Sequence, residues 1–242
     1  MRDFVKNTPE SIDPLLPGMD RIFEDDVIEV VGTSCSGKTS LLLHLLKVLT
    51  GSNGIETLFI DVDGSFDFNN PIIRDERVPL DEVNIAVTCD SPLSDHVSDV
   101  EALEILTSNA VVTPSNARAA IFIDYITSRY GVIIIDSSSN LGLIPLLTLL
   151  TKAKENRTCI IMSSQVRDKM TGFAGSLRSD RSKEITPFIT RRLKMEKGSK
   201  WPGCTDFNVS TVFSTRTNLT EATIKMNNRG QWVLRERREC NE

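Results

Sequence analysis

The residues with the clearest chemical meaning form a glycine-bounded loop near the start of the sequence. Residues 32–39 read GTSCSGKT, which fits the pattern G-x-x-x-x-G-K-[ST], between an apolar run at 27–31 and a leucine-rich run at 40–46. Such a loop turns tightly and directs backbone N–H groups at phosphate oxygens. Its lysine reaches the β- and γ-phosphates, and its last hydroxyl is placed to hold Mg²⁺. The pattern predicts a nucleotide-phosphate site made of Gly32, Thr33, Ser34, Cys35, Ser36, Gly37, Lys38 and Thr39.

Polar residues follow three further apolar runs. Asp61 and Asp63 follow the run at 58–60, Asp136 follows the run at 131–135, and Gln165 lies just beyond the run at 159–162. Ligands of parallel sheets bind beyond the carboxyl ends of the strands, where phosphoryl transfer needs such groups. An isolated Asp after a strand is commonly a turn or helix cap. Beside a phosphate loop, we expect Asp136 to bind Mg²⁺ through water and the Gln165 amide to contact the γ-phosphate.

These groups require strands and helices that carry them to one place. The β-branched runs that end in polar residues are typical of strands buried on both faces of a parallel sheet. Apolar residues spaced three and four apart predict helices at residues 100–108, 115–130 and 143–154. Alternating segments predict later strands at residues 189–195, 208–213, 222–226 and 231–234, with a turn signal at 227–230 before the last. The sequence thus predicts a mainly parallel α/β sheet flanked by helices, with an antiparallel C-terminal extension.

Composition narrows the class of protein. The chain has 242 residues, enough for one sizeable α/β domain and too few for two. It has no apolar stretch of membrane-spanning length and no basic-then-apolar leader, so we expect a soluble, unexported protein with no membrane partner. The five cysteines are scattered and odd in number, which favours free thiols in a reducing compartment. Both histidines, His44 and His96, are expected to be surface or packing residues.

The charge is unevenly distributed along the chain. The whole chain carries a net charge of −5, but residues 166–200 carry +6. A basic segment on an acidic body is a candidate contact for polyanions. A solvated loop of mixed charge is the other interpretation, because Asp168, Asp180 and Glu184 interrupt the basic residues.

The sequence resembles the RecA-like recombinase ATPases, and among them the eukaryotic paralogues of the strand-exchange recombinase, of the mediator type. The motifs that carry the resemblance are GTSCSGKT at 32–39, TLFIDVDGSFD at 57–67, SRYGVIIIDSSS at 128–139, IIMSSQV at 160–166 and ITRRLKMEKG at 189–198. The resemblance implies a RecA-like P-loop ATPase core in a nuclear protein. We expect this core to span residues 1–242 as a single domain, and the chain departs from the family in lacking its small helical N-terminal domain. The resemblance also implies ATP and Mg²⁺ held between adjacent subunits.

In this family the loop after the strand-ending glutamine touches single-stranded DNA. Here that loop would be the basic stretch at residues 166–187. The residues expected to contact DNA are Arg167, Lys169, Phe173, Arg178, Arg181 and Lys183, with Phe173 as the stacking ring.

The chain departs from the active recombinases at several positions. They have a glutamate, which orients the attacking water, where this chain has Asp63, and an arginine against the adenine where it has Asn70. Asp136 and Gln165 are 29 positions apart, fewer than in the recombinases, so the first DNA-binding loop is expected to be short. The sequence has no Phe-x-x-Ala segment for docking on a neighbouring copy. With Asp63 and Gln165 as the catalytic positions, at most weak ATPase activity is expected.

Two functions from different classes fit these observations. One is a recombination mediator that binds ATP, pairs with another recombinase paralogue or mediator subunit, and assists the recombinase filament on single-stranded DNA. The other is an autonomous P-loop NTPase or small-molecule kinase that uses Asp63 or Asp136 as its base. A kinase needs arginines that close over the phosphates. The candidates for that role are Arg178, Arg181, Arg191 and Arg192.

Overall fold

The computed structural model describes residues 22–49, 56–62, 84–86, 114–166, 182–202, 204–215, 220–227 and 232–239. Over these residues the chain forms one sheet with helices on both faces. The strands are β1 Val27–Gly32, β2 Thr57–Asp61, β3 Asn84–Ala86, β4 Val132–Asp136, β5 Cys159–Gln165, β6 Arg191–Trp201, β7 Cys204–Ser214, β8 Thr220–Asn227 and β9 Trp232–Glu239. The helices are α1 Lys38–Lys47, α2 Pro114–Arg129, α3 Leu143–Asn156 and the short α4 Ser182–Ile185, with a 3₁₀ turn at Ser138–Asn140.

The sheet has two parts that meet at β6. The strand order is β3-β2-β4-β5-β1-β6-β7-β8-β9. Pairing is parallel from β3 through to β6 and antiparallel from β6 to β9. The predicted architecture, a mainly parallel sheet with an antiparallel C-terminal extension, is therefore confirmed.

The elements lie close to where the patterns predicted them. Every predicted strand and the helices predicted at 115–130 and 143–154 are present, while the helix predicted at 100–108 lies outside the described residues. The largest difference is β6, which was predicted at 189–195 and runs instead to Trp201. Register shifts in its pairing with β7 let the strand continue past Gly198, a residue that interrupts the alternating pattern.

Each face of the sheet carries its own hydrophobic core. On one face the leucines of α1 pack against alternate residues of the strands, such as Ile28 and Val30 in β1 and Leu193 and Met195 in β6. On the other face α2 and α3 cover Val27 together with residues of β2, β4 and β5. Since both faces of the parallel part are covered, β1, β2 and β4 are buried along their whole length and are mostly apolar, as the sequence predicted.

A buried ion pair joins the N-terminal ends of β1 and β6. Arg191 Nη2 lies 2.9 Å from Oδ2 of Asp26, and both side chains are fully buried. The carboxylate of Asp26 also accepts a hydrogen bond from the Phe23 N–H at 2.9 Å and one from Thr190 Oγ1 at 3.0 Å. This cluster holds the last parallel strand against β1.

Two predictions from composition can be compared with the structure. Cys35, Cys159 and Cys204 are free thiols, as predicted, while Cys89 and Cys240 lie outside the described residues. Among the helices of the described residues, none is long and apolar enough to cross a bilayer.

Candidate nucleotide-phosphate site

The phosphate loop lies between β1, which ends at Gly32, and α1, which begins at Lys38. The loop turns through two residues with positive φ, Cys35 at 59° and Gly37 at 90°. A Cβ atom on Gly37 would lie 2.6 Å from Cε1 of Phe207 and 2.9 Å from Cε of Met195. Gly37 is therefore required both by its backbone conformation and by its contact with the antiparallel extension.

Gly32 allows the loop to fold tightly over the sheet. A Cβ atom at this position would lie 2.5 Å from the Met195 carbonyl oxygen and 2.5 Å from Ser36 Oγ. Ser36 is buried, and its hydroxyl has no hydrogen-bond partner among the described residues. The Ser36 side chain therefore packs inward against Gly32, and the tight turn leaves loop backbone N–H groups available to a phosphate group.

Lys38 places its charge over this backbone. Its Nζ donates hydrogen bonds to the carbonyl oxygens of Gly32 at 3.0 Å and Thr33 at 2.8 Å. The residue that precedes α1 is Gly37, so no capping side chain covers the first turn of the helix. The positive end of α1, the ammonium of Lys38 and the half-buried Thr39 therefore meet at one place. These residues fit a nucleoside triphosphate with Mg²⁺.

The sheet brings the predicted strand-end residues to the same edge. Asp61 is aligned with Asp136 in the β2–β4 pairing, and Gly32 is aligned with Gln165 in the β1–β5 pairing. The four strands are neighbours, with Asp136 two strands away from Gly32, or about 10 Å at the usual strand spacing. Asp61 and Asp136 are buried, whereas Gln165 is exposed. Asp136 and Gln165 therefore lie at the edge of the sheet that carries the phosphate loop, and the roles assigned to them stay predictions.

A group of serine hydroxyls lies next to Asp136, and no role was predicted for these serines from the sequence. Ser163 Oγ donates a 2.5 Å hydrogen bond to Oδ1 of Asp136. Ser138 Oγ donates to the Ser163 carbonyl oxygen at 2.8 Å and lies 2.7 Å from Ser164 Oγ. The Gln165 N–H donates to Ser139 Oγ at 3.0 Å. The signal available in the sequence was the repetition of serine directly after Asp136 and directly before Gln165.

Two of the arginines considered for a kinase are not available to close over phosphates. Arg191 is fully buried in its pair with Asp26, and Arg192 Nε lies 2.6 Å from Oε2 of the buried Glu29. In the β1–β6 pairing these arginines are aligned with Ile28 and Glu29, which precede the phosphate loop. That part of the prediction is wrong, because both side chains bind carboxylates in or next to β1 and lie away from the phosphate-binding edge.

Several predicted residues lie outside the described residues. Among the predicted DNA contacts, Lys183 is described, and it is exposed on α4. The catalytic candidate Asp63 and the adenine-side position Asn70 lie outside the described residues. So do the other predicted DNA contacts, which are Arg167, Lys169, Phe173, Arg178 and Arg181.

Comparison with known proteins identifies the fold. No family model matches the chain, and no curated protein sequence matches it. Among solved structures, the chain is similar to a crystal structure of the RadB recombinase, with a TM-score of 0.52 and 18% sequence identity. The match covers 85% of this chain and 89% of that chain. A match of this length at low identity shows the architecture, and the fold is RecA-like: a mainly parallel central sheet between helices, with antiparallel C-terminal strands.

Proposed function

We propose that this chain is an ATP-binding recombinase paralogue that assists recombinase filaments on single-stranded DNA in homologous recombination repair. In this proposal it works in the nucleus in a hetero-oligomer with another paralogue or mediator subunit, and it has weak or no ATPase activity of its own. The observation that carries the proposal is the meeting of the phosphate loop, Asp136 and Gln165 at one edge of a RecA-like sheet.

The residues of this edge suit ATP and Mg²⁺ in distinct ways. The backbone of residues 32–39 and Lys38 would hold the phosphates, and Thr39 with Asp136 would hold the cation, Asp136 through water. Bound Mg²⁺ would neutralise charge on the β- and γ-phosphates. Gln165 is exposed at the end of β5, directly before the basic segment, so its amide is suited to respond to the γ-phosphate.

Weak hydrolysis follows from the residues expected to activate water. Asp63 is one methylene shorter than the glutamate of active recombinases, and misplacing a general base by about 1 Å can cost about a hundredfold in rate. We therefore infer that ATP mainly stabilises the subunit and its contacts with partners.

The ion pairs of two arginines weaken the case for the competing function, a small-molecule kinase. Arg191 and Arg192 are held by Asp26 and Glu29, so two of its four candidate phosphate-closing arginines have another role. The contact of Gly37 with Phe207 also makes the antiparallel extension part of the support of the phosphate loop. This arrangement favours the RecA-like function over that of a kinase with a separate lid.

Nucleotide binding is tested at Lys38. Lys38→Ala removes the cation at the β- and γ-phosphates and should weaken binding of a fluorescent ATP analogue at least tenfold, or about 1.4 kcal/mol. If a partner subunit completes the pocket, Lys38→Arg should be tolerated better, because it keeps the charge. Lys47→Ala, at the other end of α1, is the control and should bind as the wild type does. Equal binding by Lys38→Ala and wild type would end the ATP-site proposal.

The mediator role is tested with the recombinase filament itself. We expect the chain to copurify with another recombinase paralogue, and the complex to bind recombinase-coated single-stranded DNA more tightly than the chain alone. Alanine at the five basic residues predicted to contact DNA should reduce binding to recombinase-coated single-stranded DNA and flatten its salt dependence, with ATP affinity unchanged. The five are Arg167, Lys169, Arg178, Arg181 and Lys183.

The control for this test carries the same kind of change elsewhere on the surface. Alanine at Lys152 and Lys154 on α3 removes two basic side chains from a helix that covers one face of the sheet. It should leave the binding to filaments and its salt slope unchanged. If the five-residue variant keeps the wild-type salt slope, residues 166–187 are a solvated connector and the DNA contact is made elsewhere.

A further inference from the structure

Side chains, in place of backbone, join β4 and β5 at the nucleotide edge of the sheet. The β4–β5 pairing extends to Ile135 opposite Met162, so Asp136 and residues 163–165 lie beyond it. Over that stretch β5 is paired with β1 on its other side. The contacts that cross from β5 to the turn after β4 are made by the hydroxyls of Ser138, Ser139, Ser163 and Ser164.

The contacts of Ser138, Ser163 and Ser164 have a defined direction. Ser138 uses its proton for the Ser163 carbonyl oxygen, and a serine hydroxyl has one proton. Ser164 is therefore the donor in the 2.7 Å contact between Ser138 Oγ and Ser164 Oγ. Ser163 in turn donates to Oδ1 of Asp136. Ser138, Ser163, Ser164 and Asp136 are all buried, so water is largely kept from these bonds.

We propose that Ser163 is a positioning residue for the nucleotide-bound cation. This inference rests on the proposed ATP and Mg²⁺ site. The Ser163 hydroxyl donates to one oxygen of the Asp136 carboxylate. This bond limits rotation of the carboxylate, which would hold the cation. Outer partners that orient the groups around a metal contribute to metal affinity, and here Ser163 would orient Asp136, which would hold the cation through water. Ser138 and Ser139 extend the connection to the main chain of Ser163 and Gln165, where the basic segment begins.

The test compares nucleotide affinity with and without the cation. Binding of a fluorescent ATP analogue is measured in Mg²⁺ and in EDTA, and the ratio of the two dissociation constants is the gain from Mg²⁺. For Ser163→Ala we expect this gain to fall about tenfold, the lower end of the range for loss of an outer partner, with affinity in EDTA unchanged. Ser163→Thr keeps the hydroxyl and should keep the gain.

Thr158→Val is the matched control for general loss of stability. Thr158 directly precedes β5 and is buried, and its hydroxyl donates to the Thr127 carbonyl oxygen at the opposite edge of the sheet. The Thr158→Val variant therefore loses a buried hydroxyl next to β5 and leaves the edge of the sheet that carries the phosphate loop unchanged. We expect its thermal midpoint to fall and its gain from Mg²⁺ to match the wild type. Should Ser163→Ala fail to fold, Ser163→Cys, a weaker donor of similar shape, makes the same comparison.

Each other outcome counts against the proposal in an identifiable way. An unchanged gain in Ser163→Ala overturns the positioning role and leaves the ATP site standing. Equal losses in Mg²⁺ and EDTA, or the same loss of gain in Thr158→Val, assign Ser163 to stability alone. Wild-type protein that binds nucleotide without any gain from Mg²⁺ overturns the cation site, and wild-type protein that binds no nucleotide refutes the proposed function as well.

Discussion

Replacing Arg191 by methionine tests whether this arginine stabilises the fold or contacts nucleotide phosphates. The ion pair of Arg191 with Asp26 is fully buried at both ends, with a distance of 2.9 Å. Breaking a buried pair on one side costs about 3–5 kcal/mol, since the remaining charge stays buried. Asp26 keeps its hydrogen bonds from Phe23 and Thr190, so we expect the lower end, about 3 kcal/mol. With a urea slope of about 3 kcal/mol/M, the unfolding midpoint should fall by about 1 M.

Nucleotide affinity should not follow this loss of stability. Arg191 is aligned with Ile28, four residues before the end of β1 at Gly32. At about 3.3 Å per residue, this places Arg191 about 13 Å from the phosphate-binding edge. Arg191→Met should therefore bind a fluorescent ATP analogue as tightly as the wild type at temperatures where it is folded.

Two further variants control the experiment. Asp26→Leu combined with Arg191→Met removes both charges and should recover most of the lost stability, because replacing a whole buried pair is often neutral. Lys152→Met breaks a 2.7 Å pair with Glu155 in which the two side chains are 35% and 54% exposed. Its cost should be small beside that of Arg191→Met, as is usual for exposed pairs. The reasoning is refuted if Arg191→Met weakens nucleotide binding while its urea midpoint stays at the wild-type value, which would revive the kinase interpretation.

Three more predictions concern the loop, the water-activating position and the tyrosine beside Arg129. Gly37→Ala should abolish nucleotide binding with little change in helix content. Alanine at positive φ costs about 1–2 kcal/mol, and its Cβ would meet Phe207. Wild-type binding by this variant would show that the contact is dispensable. The isolated chain should hydrolyse ATP slowly, and Asp63→Glu should raise the rate if reach is the only defect; brisk DNA-stimulated turnover by the wild type would contradict this. Burial raises the pKa of Tyr130 above its ordinary value, and Arg129 opposes the shift. The stability contributed by the neutral phenol is therefore complete below about pH 10 and is lost as the pH rises through the raised pKa. Tyr130→Phe should therefore lose less stability than the wild type as the pH rises above about 10 in urea titrations, and identical losses would count against this prediction.

The sequence by itself determined the phosphate loop and the strand ends that face it. A phosphate loop uses its own backbone N–H groups, and its glycines are needed at fixed offsets, so residues 32–39 could be recognised as a unit. The common edge of Asp136 and Gln165 could be predicted for a related reason. Asp136 directly follows a continuous apolar run and Gln165 follows another after two serines, and the carboxyl ends of parallel strands share one edge whatever the order of the strands.

Only the tertiary structure decided which charged and hydroxyl side chains meet. Arg191 was available in the sequence for a phosphate contact, yet it pairs with Asp26, 165 positions earlier in the chain. Ser163 binds Asp136 because β5 lies beside β4, and Gly37 needs to be glycine partly because Phe207 of β7 packs against it. Local periodicity reports which face of an element is buried. It carries no record of which strand becomes the neighbour, and a polar side chain takes the partner that its neighbouring strand supplies, because leaving it unpaired inside the protein costs more free energy.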